Sequence, residues 1–169
     1  MQNYDAFSRY YKEFMPAVYG YVYMRTSQNR AIAEDIVSEI FTKAVENFDQ
    51  FDEKKGSFKS WIFQIARNYL IDHFRSKKNQ KTESLEETTN YIKDPNDPQK
   101  DAKDSIEKEL VKEVINTLPE DKKELIILRY FSGYSIAEIA EITDENPNNL
   151  RVKLHRIQQE LKRKLVQLN

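Results

Sequence analysis

Amide and basic side chains gather near the start of the last predicted helix of this 169-residue chain. They are Asn148, Asn149, Arg151, Lys153 and Arg156, with Val152 on the same face. An amide can form two hydrogen bonds with adenine and a guanidinium two with guanine, whereas residues a turn or two later reach phosphates. We therefore assign base contacts to Asn148 and Arg151. Lys153 and Arg156 are assigned mainly to phosphates.

Two predicted helices and a tight turn would present these side chains to a ligand. Ser135 and Glu138 have the spacing of a capping box, which predicts a helix of about two turns over 136–142. Asn146 and Pro147 are typical of a helix N-cap and first position. The apolar residues that follow recur every three or four positions: Leu150, Leu154, Ile157, Leu161, Leu165 and Leu168. This pattern favours a helix-turn-helix that fits a major groove over a plain helical hairpin with a solvated basic face.

A second predicted helix, 58–75, mixes aromatic, amide and basic residues. Trp61 and Asn68 lie on it together with Lys59, Arg67 and Arg75. Aromatic rings stack on unpaired bases, and cations hold the phosphate backbone. A lone Trp on an apolar stripe usually packs in a core, whereas Asn68 lies off the stripe. We expect Trp61, Asn68 and the preceding loop, 52–57, to frame an unpaired base.

The composition argues against catalysis and against a resident metal or cofactor. There is no cysteine, so disulfides, thiolate nucleophiles and Cys-based zinc sites are excluded. The two histidines, His73 and His155, lie in different predicted domains, and no glycine-rich phosphate loop is present. No apolar run reaches the length of a membrane span, and the N-terminus is unlike a signal peptide. We expect a cytoplasmic protein that is not an enzyme and carries no cofactor.

Charge is balanced overall but unevenly distributed along the chain. The 27 basic and 28 acidic residues give a net charge of −1. Basic residues dominate 54–81 and again 146–169, whereas acidic residues dominate 34–53 and 83–104. Two separate cationic blocks suit a protein that contacts DNA at two places and a protein partner elsewhere.

The periodicity predicts an all-α chain made of two small helical domains joined by a flexible linker. Three helices, about 4–25, 30–48 and 58–76, form the first domain, 1–76, with Pro16 expected to break or kink the first helix. The segment 77–104 lacks periodicity, contains Pro95 and Pro98, and is interpreted as the linker. Four helices then form the second domain, 105–169, which ends in the helix-turn-helix.

Taken together, these segments resemble a known family. The sequence AEDIVSEIF at 33–41 is similar to the helix with which bacterial sigma factors dock on RNA polymerase. Residues 58–75 are similar to the segment that melts and binds the minus-ten promoter element. The sequences SIAEIA at 135–140 and LRVKLHR at 150–156 resemble the domain that binds the minus-thirty-five element. The chain is thus identified as a member of the sigma-70 family, in the extracytoplasmic-function group.

The resemblance implies partners and a role for each site residue. Core RNA polymerase would bind Asp35, Ser38 and Glu39. Promoter DNA is the second partner, and an anti-sigma factor is a further expected one. The minus-ten contacts would be Trp61, Arg67, Asn68, Ile71 and Arg75, and the minus-thirty-five contacts Asn148, Asn149, Arg151, Val152, Lys153 and Arg156. The expected function is an alternative sigma factor that directs promoter-specific transcription initiation.

Five positions, at three places in the chain, depart from the family pattern. Asp144 and Glu145 occupy places in the helix-turn-helix turn that usually hold Gly and an apolar residue. Ser38 stands where the docking motif commonly has Gln. Gln64 and Ile65 replace the tryptophan pair of housekeeping sigma factors, which implies weaker intrinsic melting.

Two other interpretations of the sequence remain open. A conventional repressor or activator would use the helix-turn-helix without polymerase and bind its own palindromic operator as a dimer. A helical inhibitor with sigma-like surfaces would bind polymerase without opening a promoter.

Overall fold

The structure, a computed structural model, describes residues 2–83 and 102–168. Its helices are α1 (Gln2–Arg25), α2 (Arg30–Glu46), α3 (Phe58–Glu83), α4 (Ala102–Asn116), α5 (Glu120–Ile126), α6 (Ile136–Thr143) and α7 (Pro147–Leu168). A 3₁₀ turn, Phe48–Gln50, follows α2, and a π-helical turn, Ile127–Phe131, follows α5. The described residues contain no strand, which confirms the all-α prediction. We call α1–α3 the N-terminal half and α4–α7 the C-terminal half.

Helix boundaries follow the sequence-based prediction except at two places. Helix α3 continues to Glu83, beyond the end predicted near residue 76, and α2 ends at Glu46 rather than near residue 48. Pro119 is the N-cap of α5. The rest of the predicted linker, 84–101, lies outside the described residues.

Pro16 does not interrupt α1, so the predicted break is absent. Proline cannot donate a hydrogen bond to the carbonyl four residues back, which here belongs to Lys12. Both Lys12 and Pro16 are exposed. Because this side of the helix faces solvent, water can satisfy the Lys12 carbonyl and the helix can continue.

The N-terminal half is a three-helix bundle with an apolar core. Asn29 caps α2 by accepting a hydrogen bond from the Ile32 amide at 3.0 Å. Helix α1 packs against both α2 and α3. The fully buried side chains include Val18, Val22, Ala33, Ile40, Ala44, Ile62, Ala66 and Leu70. Burial of this apolar stripe from each helix is the main stabilising term of the bundle.

The predicted helix-turn-helix forms in the C-terminal half. The capping box is present, because Ser135 Oγ accepts from the Glu138 amide at 3.2 Å and Glu138 accepts from the Ser135 amide at 2.8 Å. Asp144 adopts the left-handed conformation, with φ 56° and ψ 40°. Asp tolerates that conformation better than most residues, so the turn survives the absence of glycine. Asn146 then caps α7 by accepting from the Asn148 amide at 2.9 Å.

The two halves pack directly against each other. Helix α3 contacts α6, while α1 contacts α5 and the π-helical turn. Across this boundary the rings of Phe63 and Tyr134 meet edge to face, with centroids 5.0 Å apart. Phe63 is fully buried and Tyr134 is 6% exposed, so the cores of the two halves are continuous.

Candidate functional site

An aromatic cluster holds the beginning of α3 against α1 and the 3₁₀ turn. Tyr10 and Phe58 stack with centroids 4.2 Å apart and nearly parallel planes. Phe48 and Phe51 lie 6.3 and 5.3 Å from the Trp61 ring. These ring contacts fix the orientation of Trp61, which therefore packs against the core on one side.

The other side of Trp61 forms part of a cavity of about 300 Å³. The cavity is lined by Lys43, Asn47, Gln50, Trp61, Ile65, Asn68, Tyr69 and Asp72. Residues 52–57, which were expected to frame it, do not line it. This volume is at the lower end of small-molecule sites. An aromatic wall beside amide groups is suited to an unpaired base.

The structure adds six residues to this cavity that the sequence analysis did not assign to it, and three of them, Lys43, Asn47 and Gln50, lie outside α3. Lys43 Nζ lies 5.0 Å from the centroid of the Tyr69 ring. Gln50 Nε2 donates to Asn47 Oδ1 at 3.0 Å. These residues belong to α2 and its 3₁₀ extension, so no sequence spacing links them to Asn68.

Only two of the five expected minus-ten residues line the cavity, Trp61 and Asn68. Arg67 points toward the C-terminal half and pairs with Glu124 at 3.2 Å. Arg75 is exposed, 3.9 Å from Asp72, and Ile71 is half-buried.

The expected polymerase-docking residues lie together on an exposed face of α2. Asp35, Ser38 and Glu39 line a cavity of about 430 Å³ with Tyr69 and His73 of α3. Burial raises the pKa of Tyr69, and the carboxylates of Glu39 and Asp35 raise it further. Burial, with nearby Lys77, lowers the pKa of His73, favouring its neutral form. His73 Nε2 is buried without a hydrogen-bond partner among the described residues.

An apolar groove borders the same helix on its other side. It has a volume of about 850 Å³ between α1 and α2, and Ser38 lines both this groove and the docking cavity. Its apolar lining includes Phe7, Tyr11, Met15, Tyr19, Val37, Phe41 and Val45. Tyr11 and Val45 are 41% and 39% exposed. Exposed apolar surface of this kind marks protein contact sites.

All six expected minus-thirty-five residues are exposed at the start of α7: Asn148, Asn149, Arg151, Val152, Lys153 and Arg156. On the opposite side of the helix Leu150 and Leu154 are buried. Arg151 donates to Asn148 Oδ1 at 2.7 Å, and Lys153 pairs with Glu145 of the preceding turn. The first turns of α7 thus present an ordered set of donors and acceptors.

Within residues 2–83 and 102–168, no cluster of three or more His, Asp or Glu side chains could hold a metal ion. Across the same residues, no helix is long and apolar enough to cross a membrane.

Both halves of the chain match models of known protein families. Residues 10–80 match the family model of sigma-70 region 2, and residues 108–161 match that of sigma-70 region 4. The ECF RNA polymerase sigma factor SigW of Bacillus subtilis is 31% identical over 170 residues, covering 95% of this chain and 89% of SigW. The ECF RNA polymerase sigma factor BldN of Streptomyces coelicolor is 32% identical over 165 residues. This chain spans 61% of the length of BldN.

Solved structures share the fold. The sigma factor RpoE in complex with the anti-sigma factor NepR from Bartonella quintana has a TM-score of 0.75 at 24% identity, covering 95% of this chain and 96% of RpoE. CnrH in complex with the cytosolic domain of CnrY has a TM-score of 0.67 at 19% identity, covering 95% of this chain and 88% of that chain.

Proposed function

This chain belongs to the ECF sigma factors of the sigma-70 family, and from that membership we propose that it binds core RNA polymerase and directs promoter-specific transcription initiation. One observation carries the proposal. A single chain presents a base-sized cavity on α3 and an exposed set of amide and basic groups on α7, in the order of regions 2 and 4. Two DNA-binding surfaces in this order suit the two elements of a promoter.

Each surface has a proposed task. The α3 cavity would capture an unpaired base of the minus-ten element, with Trp61 for stacking and Asn68 for hydrogen bonding. The first turns of α7 would contact the minus-thirty-five duplex in the major groove. Residues 1–76 would form the minus-ten domain and 105–169 the minus-thirty-five domain.

Core polymerase would dock on the Asp35, Ser38 and Glu39 face of α2. Its exposed carboxylates, Asp35 and Glu39, would meet basic groups of the polymerase. The chemistry of transcription belongs to core polymerase, so the proposed function requires no catalytic residue of this chain. A subunit that works with polymerase on chromosomal DNA would act in the cytoplasm.

An anti-sigma factor is the further partner that we propose. The apolar groove between α1 and α2 offers a surface for a partner's apolar helix face, and RpoE was solved with such a factor.

In vitro transcription with core polymerase and a randomised promoter library tests the proposal. We expect transcripts from a subset of templates that share two motifs, and none from core polymerase alone. Binding to a palindromic site without polymerase would instead favour a repressor or activator. Polymerase binding without any transcript would favour a helical inhibitor.

A further inference from the structure

The base-sized cavity on α3 carries opposite charges on two different helices. Lys43 comes from α2 and Asp72 from α3, and both side chains line the cavity. Within the part of the chain that the structure describes, these two residues form no ion pair with each other. The Lys43 ammonium lies 5.0 Å from the centroid of the Tyr69 ring, and the Asp72 carboxylate lies 3.9 Å from Arg75. The cavity therefore offers a ligand a charged donor and a charged acceptor at separate places.

The amide groups of the cavity differ in what they leave for a ligand. Asn47 Nδ2 donates to the Lys43 carbonyl at 2.8 Å, and Asn47 Oδ1 accepts from Gln50 Nε2 at 3.0 Å. Both ends of the Asn47 amide are thus engaged within the protein. The Asn68 side chain, in contrast, has no hydrogen-bond partner among residues 2–83 and 102–168. Asn68 therefore keeps both a donor and an acceptor for a ligand.

The four bases differ at the two ends of the Watson–Crick edge, which becomes accessible when the duplex melts. Adenine has an amine at one end and a C–H group at the other, and thymine has a carbonyl at each end. Guanine and cytosine have an amine at one end and a carbonyl at the other. Proteins that take a base out of the duplex recognise it through hydrogen bonds to this edge. Only guanine and cytosine can satisfy an ammonium and a carboxylate at the same time.

We propose that Lys43 and Asp72 determine the base specificity of the cavity, which accepts an unpaired guanine or cytosine and rejects adenine and thymine. The inference rests on the proposed function, because it concerns the base that the α3 cavity captures. Adenine leaves Lys43 without a carbonyl, and thymine places a carbonyl oxygen against the Asp72 carboxylate. Either mismatch weakens binding, since a charged group loses water without gaining a partner. Asn68 suits both accepted bases, because the middle of the edge is an acceptor in cytosine and a donor in guanine.

The two charges predict different changes in specificity. Lys43→Met removes the ammonium but keeps a long side chain, so it should admit adenine. Asp72→Asn adds a donor that a carbonyl can accept, so it should admit thymine. The full chain with core polymerase is tested on a promoter library randomised over the minus-ten element. At one position the natural chain should prefer guanine or cytosine over adenine and thymine by on the order of tenfold. Each variant should lose this preference only against its own base, at that same position.

Matched controls remove the same charges away from the cavity. Lys12→Met is exposed on α1, and Glu46→Gln is exposed on α2. Both controls should keep the base preference of the natural chain. If Lys43→Met or Asp72→Asn lowers transcription equally for all four bases, that residue does not determine specificity and the inference is overturned.

Altered bases test the contact with Asp72 while the protein fold stays the same. Inosine is the counterpart of guanine without the exocyclic amine, and 2-pyrimidinone is cytosine without its amine. Promoters carry the analogue of the selected base at the selected position, in each strand in turn. The natural chain should lose on the order of tenfold in open-complex formation on the strand that the cavity captures. Asp72→Ala should lose much less, because its amine contact is already absent. Equal losses in both proteins would overturn the contact between the carboxylate and the amine.

The results separate failure of the specificity from failure of the function. Selection of adenine or thymine at the position where the two variants act would overturn the inference and leave promoter-directed transcription intact. The absence of any position that responds to the two variants would do the same. If the natural chain yields no transcript from any template, the proposed function is wrong, and this inference fails with it.

Discussion

Trp61 combines two roles that the sequence presented as alternatives. Its ring packs against Phe48 and Phe51, yet it also forms a wall of the α3 cavity. Asn68, two turns further along the helix, is exposed on the same wall. Mutation of Asn68 therefore tests base capture better than mutation of Trp61, because the loss of a packed Trp costs roughly 3–5 kcal/mol of folding stability.

Asn68→Ala should reduce open-complex formation while leaving closed-complex binding nearly unchanged. The lost hydrogen bond is worth about 0.5–1.5 kcal/mol, which corresponds to up to about tenfold in the opening equilibrium. Permanganate footprints of the bubble measure the effect. Ser76→Ala, also exposed on α3 but away from the cavity, serves as the control. Equal bubble opening by both variants would show that Asn68 does not contribute to base capture.

We expect Arg151→Ala and Arg156→Ala to affect DNA binding in different ways. We expect Arg151→Ala to relax preference at one or two minus-thirty-five positions, because a good base contact discriminates by about 1–3 kcal/mol. Arg156→Ala should weaken binding to all sequences and reduce the salt slope by roughly one counterion. A promoter-library selection and a salt titration measure these effects. An unchanged motif in the first case, or an unchanged slope in the second, would contradict the assignment.

At the scale of elements, α2 exposes two chemically different faces. Its carboxylate face carries Asp35 and Glu39, and its apolar face lines the groove with α1. Both faces exist because the buried residues Ile36, Val37 and Ile40 occupy only the side that packs on α1 and α3. The helix therefore positions its exposed carboxylates without using them for folding.

Asp35→Lys with Glu39→Lys should weaken the binding of core polymerase and leave helicity intact. Both side chains are exposed, so reversing their charge disturbs the docking face but no buried contact. A fluorescence titration with core polymerase measures affinity, and circular dichroism checks the fold. Glu13→Lys with Glu46→Lys, on exposed positions of α1 and α2 that line neither cavity, matches the charge change. Equal loss of affinity in this control would show that net charge alone is responsible.

At the scale of the whole molecule, the Lys59–Glu138 pair between the two halves responds to acid. Hydrogen bonds from Lys59, then from Ser135, lower the pKa of Glu138 to about 2. Since the folded pKa lies below the ordinary value of 4.5, the stabilisation is fully present above about pH 4.5. It is lost as the pH falls through about 2, where Glu138 becomes protonated and its pair with Lys59 ends.

Acid should therefore open the natural chain more than the Glu138→Gln variant. We expect energy transfer between the two halves to differ between the proteins at pH 6 and to converge as the pH falls from about 4.5 toward 2. The dyes are attached at Glu13→Cys and Val166→Cys, both exposed positions, and circular dichroism at each pH reports whether the helices persist. A constant difference across this range would show that the Lys59–Glu138 pair does not hold the halves together.

The sequence by itself determined the helices, their caps and the exposed face of α7. These features depend on residues three or four positions apart, such as Ser135 with Glu138, so local spacing specifies them. Even the turn at Asp144 follows from the tolerance of Asp for a left-handed backbone. The extent of α3 beyond residue 76 and the continuity of α1 through Pro16 were not predicted. Exposure to solvent explains the continuity of α1, because water can reach the Lys12 carbonyl that Pro16 leaves without a donor.

Only the tertiary structure decided which surfaces meet. Gln50 and Asn68 reach one cavity because α2, its 3₁₀ extension and α3 pack together. Arg67, expected on DNA, instead pairs with Glu124, 57 positions away along the chain. Such contacts depend on how the apolar stripes of different helices fit together. An apolar stripe in the sequence shows that one face of a helix is buried, but it does not show which other helix covers that face. For the same physical reason, the sequence predicted two DNA-binding surfaces and could not indicate that the folded chain brings them together.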